Sequence, residues 1–195
     1  MAFAERFFMG ESEVQKALVK VCAALDADGI PYALAGAMAL NAYGYRHVTT
    51  DLALLLTREG IEAFKLRHLG RGWVERFPGS KGLRDTEHNV KIDVIITGDF
   101  PGDGRPKPVA FPDPSVAQRV GEIAVLPVER LVELKLASGL SNPDRMKDLG
   151  KDALAMRLAV EKACEKLGEV RRLLASVAYT QEPVANEGAS ESAPD

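Results

Sequence analysis

Residues 49–56 read TTDLALLL, and the run Asp51 to Leu56 decides the fold. Side chains alternate along a strand, so leucines at 52, 54, 55 and 56 put apolar groups on both faces of one short segment. A strand of that kind belongs inside a sheet covered on both sides. Asp51 stands at its mouth, and the residue two further on, which shares its face, is Ala53. The acid is either an ordinary residue before a buried strand or half of a cation site whose other half is missing.

Working outward, the upstream text IPYALAG (30–36) predicts a second buried strand, and AMALNAYG (37–44) a helix of small residues ended by Gly44. Residues 12–28 place Val14, Leu18, Val21 and Leu25 on one face of an amphipathic helix, with Gly29 as its stop. Downstream, Thr57 caps a helix over REGIEAFKLRHLG. GWVERF and NVKIDVIIT then read as strands. The segment 98–122 is rich in Pro, Gly and Asp and predicts a long irregular stretch, and loops of that length are usually functional or mobile. EIAVLP is a short strand leading into the helix VERLVELKLASGL, and SNPD turns into a long helical stretch from 144 to about 178. The reading is an α/β (α+β) core over 1–126, a helical C-terminal segment over 127–178 and a disordered tail over 179–195.

Composition narrows the function. The chain has 195 residues, 46% hydrophobic and 27% charged, with a formal net charge of −3. No bulk positive field draws it to nucleic acid, although a local basic patch is still possible. Cys22 and Cys164 lie far apart without a CxxC spacing, which suits reduced thiols. The N-terminal text lacks a signal-peptide pattern and no run approaches a membrane span, so the expected setting is the cytoplasm with no membrane partner.

Three places can build chemistry. Gly36 and Ala37 sit between a strand and a helix, where small residues let backbone amides approach a phosphate; such a Gly is equally at home in a plain turn. Asp51 opens a buried strand. Asp93, between Ile92 and Val94, is costly to bury unless paired, hydrogen-bonded or bound to a cation. Taken alone, Asp93 reads as a strand acid paired with Lys91 or Arg84. Two acids that interrupt separate apolar strands point instead to a divalent cation, and hard oxygen ligands suit Mg²⁺ completed by substrate phosphates.

YALAGAMALNAYG, RHVTTDLALLL and VKIDVII, taken together, resemble the three core motifs of the minimal nucleotidyltransferases of the DNA polymerase β-like superfamily. The branch they resemble is that of AbiEii-type and related proteins of toxin–antitoxin or abortive-infection systems. LVELKLASG with RMKDL is similar to that branch's helical lysine and Arg-x-Lys-Asp motif, and the resemblance spans about residues 12 to 160. It implies a mixed sheet of four to six strands flanked by helices. It also implies Mg²⁺-dependent transfer of a nucleotidyl group from NTP to an acceptor hydroxyl on a tRNA end, a protein or a small molecule, with an antitoxin as possible partner. Gly36 and Ala37 would contact the triphosphate, as would Lys135, Arg145 and Lys147. Asp51, position 53 and Asp93 would hold two metal ions at one end of the sheet near Gly36.

Position 53 is alanine, whose methyl binds no metal, so two carboxylates stand where three are expected. The implied outcome is a poor catalyst. Three explanations are open: an altered copy of a working enzyme, a natural nucleotide-binding pseudoenzyme, or substitution by another carboxylate such as Asp99. Lys151, where the branch tends to place an acid, is a second departure. Three further expectations attach to single stretches. FPGSKGLRDTEHN (77–89), with Ser80, Lys81 and Arg84, is a flap or an ordinary hairpin connection. Arg46 and His47 lie near a phosphate or on the surface. Trp73 and the phenylalanines belong to the core.

Overall fold

The computed structural model describes residues 12–45 and 48–139, all within one compact unit. Helix α1 (Glu13–Ala27) starts where Ser12 accepts from the Gln15 amide, and it buries Val14, Leu18, Val21 and Leu25. Strand β1 (Tyr32–Ala35) runs straight into α2 (Gly36–Ala42). Strand β2 (Asp51–Leu56) is followed by α3 (Arg58–His68), capped by the Thr57 hydroxyl accepting from the Gly60 amide. Next come β3 (Trp73–Glu75), β4 (Leu83–Asp85) and β5 (Val90–Ile96). A 3₁₀ turn (Pro114–Val116), β6 (Gln118–Val120), β7 (Ile123–Val125) and α4 (Val128–Gly139) complete the described elements.

The strands form one mixed sheet of seven in the order β3-β4-β5-β2-β1-β7-β6. Seven exceeds the four to six expected, because two three-residue strands hide in stretches read as loops. Strand β4 lies inside FPGSKGLRDTEHN, which is therefore a hairpin connection carrying a strand and not a flap. Strand β6 pairs antiparallel with β7 inside the segment read as irregular. The rest of that segment is tied to the end of β5: the Gly98 amide donates to the Phe111 carbonyl and the Phe111 amide to the Asp99 carbonyl, both at 2.9 Å.

The double-faced reading of DLALLL holds. One face carries Leu34, Leu54 and Val94 in register, all buried, with α1 and α3 on that side. The buried Asp85 also points there, accepting from Lys20 of α1 at 2.5 Å. Trp73 packs edge-on to Phe64 of α3, so both are core as expected. Phe77, 64% exposed, is not. The opposite face carries Ala33, Leu55 and Ile95, with α4 over one part of it. No helix among the described residues is long and apolar enough to cross a membrane.

Candidate functional site

On the α4 side of the sheet the strand registers assemble a row. Ala35 of β1 pairs with Ala53 of β2, and Ala53 with Asp93 of β5. Extending the β4–β5 and β3–β4 registers by one residue places Gly82 beside Asp93 and Arg76 beside Gly82, and the Arg76 amide donates to the Gly82 carbonyl at 3.2 Å. The row is thus Arg76, Gly82, Asp93, Ala53, Ala35: one acid flanked by residues with little or no side chain. One step along the strands a second row holds Arg84, Lys91 and Asp51. Asp51 and Asp93 sit one strand and two residues apart, roughly 8 Å between Cα atoms for ~4.8 Å strand spacing and ~3.3 Å rise. They approach at one end of the sheet, as expected.

Gly36 closes the row. Its φ is +67°, a conformation that costs a residue with a Cβ, and a Cβ built there would lie 3.2 Å from the Ala53 Cβ. Glycine is needed here for two independent reasons, its backbone and its neighbour. Gly36 and Ala37 are partly exposed at the start of α2. Gly36 shares with Lys135 of α4 a cavity of about 290 Å³, walled also by Ile95, Phe111, Leu131 and Leu134. Lys135 is half-buried, its stem against an apolar wall.

The acids have different company. Asp51 is exposed and accepts from the Thr49 hydroxyl at 2.5 Å. Asp93 is half-exposed and accepts from Arg76 Nη1 at 2.5 Å. Its ion-pair partner is therefore neither Lys91 nor Arg84, although both flank it on this face; Arg84 donates to Asn89 at 2.9 Å. Asp99 does not join the site. It follows the far end of β5, accepts from Lys81 at 3.0 Å, and shares a smaller cavity with Ile96 and α3. Arg145 and Lys147 lie outside the described residues, as do Arg46, His47 and Lys151.

The donor set does not fit a two-metal centre. Among the described residues no group of three or more His, Cys, Asp or Glu is arranged to hold an ion. Position 53, between Asp51 and Asp93 on the face, offers a methyl. Asp93 already has a guanidinium at contact, and Mg²⁺ needs near-ideal octahedral oxygen geometry. The two carboxylates share their face with three cations, Arg76, Arg84 and Lys91, whereas a dication site needs an excess of negative charge.

Arg76 and Gly82 escaped the sequence reading. The signal was present but weak: Arg76 alternates with Val74 on the face opposite Trp73 and Glu75, and Gly82 precedes a strand too short to recognise.

No protein-family model matches the chain, and no curated protein matches it. Among solved structures, ANT(2″)-Ia in complex with adenylyl-2″-tobramycin is similar, with a TM-score of 0.49 and 14% identity over 84% of this chain and 97% of that one. A likeness of that degree assigns neither ligand nor reaction here.

Proposed function

We propose that the chain is a nucleotidyltransferase-type protein that binds a nucleoside triphosphate on the Asp51–Asp93 face. Its ancestral reaction is nucleotidyl transfer from NTP to an acceptor hydroxyl, and Ala53 impairs it here. The observation that carries this reading is the close approach at Gly36. A phosphate chain can lie against backbone only where no side chain intervenes, and Gly36, Ala37 and Ala53 keep that corner bare. Lys135 borders the same cavity and supplies positive charge from α4. Mg²⁺ is the cation the resemblance implies, but no chemical step is assigned to it, because the residues present do not suit it. The acceptor is a hydroxyl of a tRNA end, a protein or a small molecule. An antitoxin partner follows from the resemblance and from no described residue.

A second reading, a non-catalytic nucleotide binder, is favoured by one observation: Asp93, which catalysis would need for a cation, is already held by Arg76. Two measurements decide between them. Calorimetry with a non-hydrolysable NTP is expected to show micromolar to millimolar binding. Well-formed charge-assisted contacts contribute about 1.5–3 kcal/mol, so Lys135→Ala should weaken it about tenfold or more. Lys16→Ala, on α1 across the sheet, should not. Equal losses would remove Lys135 from the site. A labelled-NTP assay for consumption or transfer then separates enzyme from binder.

A further inference from the structure

We propose that the Arg76 guanidinium is the resident cation of the Asp93 site, and that this face takes a phosphate-bearing ligand without a divalent metal. The nature of the ligand rests on the nucleotide-binding reading above; the role of Arg76 does not.

Three features distinguish this pair from an ordinary surface salt bridge. The first is the path of the side chain. Arg76 extends from beyond β3 across Gly82 to reach Asp93 on β5, and a Cβ at Gly82 would lie 3.0 Å from Arg76 Cδ and 3.4 Å from the Ile92 carbonyl. A side chain at Gly82 would crowd that path. The second is direction. Asp93 pairs with Ala53 on its other side, and Ala53 with Ala35, so beyond the carboxylate that Arg76 contacts the row carries only methyl groups. The third is charge. With Arg84 and Lys91 in the adjoining row, cations outnumber Asp51 and Asp93 on this face, which suits an anion and repels a dication.

A guanidinium has five N–H donors in a planar fork, so one edge can be held by Asp93 while another meets a phosphate. Asp93 then positions Arg76 and does not ligate metal. The small residue at position 53 agrees with this: an aspartate there would offer Arg76 a second carboxylate and draw its donors away from a ligand.

The test uses the full chain without nucleotide. Mn²⁺, which shares the hard oxygen chemistry of Mg²⁺ and is visible by electron paramagnetic resonance, is titrated into the parent, Arg76→Met and Arg76→Lys. The parent should show no site tighter than millimolar. Arg76→Met should tighten Mn²⁺ binding by about tenfold, since it frees a carboxylate and removes a charge that repels the ion. Arg76→Lys keeps the charge and should behave as the parent. Adding Asp93→Asn to Arg76→Met should cancel the gain. Circular dichroism of each variant checks the fold, and Arg76→Gln, which also removes the charge, takes the place of Arg76→Met if that variant fails to fold. Micromolar Mn²⁺ binding by the parent, by itself, overturns the proposal. Unchanged affinity in a folded Arg76→Met overturns it too, as does tightening in Arg76→Lys equal to that in Arg76→Met. A second arm measures a non-hydrolysable NTP in EDTA and in Mg²⁺: affinities within about twofold, about 0.4 kcal/mol, support the proposal, and loss of binding in EDTA refutes it. If the analogue binds in neither buffer, the nucleotide reading fails, while the Mn²⁺ titration still decides the role of Arg76.

Discussion

Ala53 and Gly36 carry the residue-scale argument, because each makes sense only beside the other. A Cβ on Gly36 would meet the Ala53 methyl at 3.2 Å and would also force a side chain into φ +67°. Left-handed backbone costs a non-glycine residue roughly 1–2 kcal/mol. With the contact added, Gly36→Ala should destabilise by about 2–3 kcal/mol in urea titration and weaken the NTP analogue further than stability alone explains. Loss of stability with intact binding would take the Gly36 turn out of the site. Ala53→Asp tests the other side of the contact. Position 53 is partly exposed, so the new carboxyl can extend over the face beside Asp93. Mg²⁺ should raise the melting temperature of this variant more than that of the parent, and most when Arg76→Met is added. A ligand at about 100 times its Kd stabilises by roughly 2.7 kcal/mol. If Ala53→Asp only destabilises and Mg²⁺ does not rescue it, the position is apolar packing and nothing more.

At the scale of elements, α1 is tied to the sheet by a buried polar contact that the hydrophobic pattern does not announce. Asp85 of β4 is fully buried and accepts from Lys20 and from the Glu87 and His88 amides. Lys20 also reaches Glu87 at 2.9 Å and lies 4.7 Å over the Trp73 ring. Burial disfavours the charged Lys20, but its bonds to Asp85 and Glu87 outweigh that and hold its pKa above the ordinary value. The Lys20 charge is therefore in place at neutral pH, and its contribution to stability fades as pH rises through that elevated value. Removing one partner of a buried pair costs about 3–5 kcal/mol. Lys20 keeps some solvent and Asp85 keeps two amide donors, so Lys20→Met should cost about 2 kcal/mol, read from the shift in urea midpoint. No loss would mean that the amides alone satisfy Asp85.

For the molecule as a whole, carboxylates on the surface between elements contribute to the acid limb of stability. Glu75 is held below the usual range by the Lys65 ammonium and the Gly79 amide. Asp28 is lowered by His68 and Arg67, and Glu13 by Lys16 and His88. A carboxylate whose folded pKa is depressed adds stability above its unfolded value and loses it as pH falls through the folded one. The unfolding midpoint should therefore decline once pH drops below 4.5 for the glutamates and 3.8 for Asp28. Glu75→Gln should flatten that decline, and an unchanged slope would clear Glu75. On the alkaline side, burial pushes the Cys22 thiol up to about 11, so it stays protonated near neutrality. Peptide mapping should find Cys22 unalkylated in the native chain at about pH 8 and alkylated in denaturant; labelling in the native chain would show that α1 opens readily.

What the sequence by itself determined is local. Ser12 and Thr57 cap helices because their hydroxyls reach an amide three residues on. DLALLL is a double-faced strand because alternation needs no partner, and for the same reason Asp51 and Ala53 share a face. The strands that carry Asp51 and Asp93 were legible because they are long or apolar enough to read, but that the two acids and Gly36 share a neighbourhood was implied by the family resemblance, since a strand's pattern does not name its neighbours. The tertiary structure alone decided which charge meets Asp93. Lys91 and Arg84 were the candidates near in sequence, yet Arg76, seventeen residues away, makes the bond by crossing Gly82. It also set Asp99 apart, at the far end of β5 with Lys81. The strand that lines Arg76 up with Asp93, β4, has three residues, too few for a period to show. Register is a property of strand pairs, and an ion pair across three strands exists only once hydrogen bonding between them has fixed it.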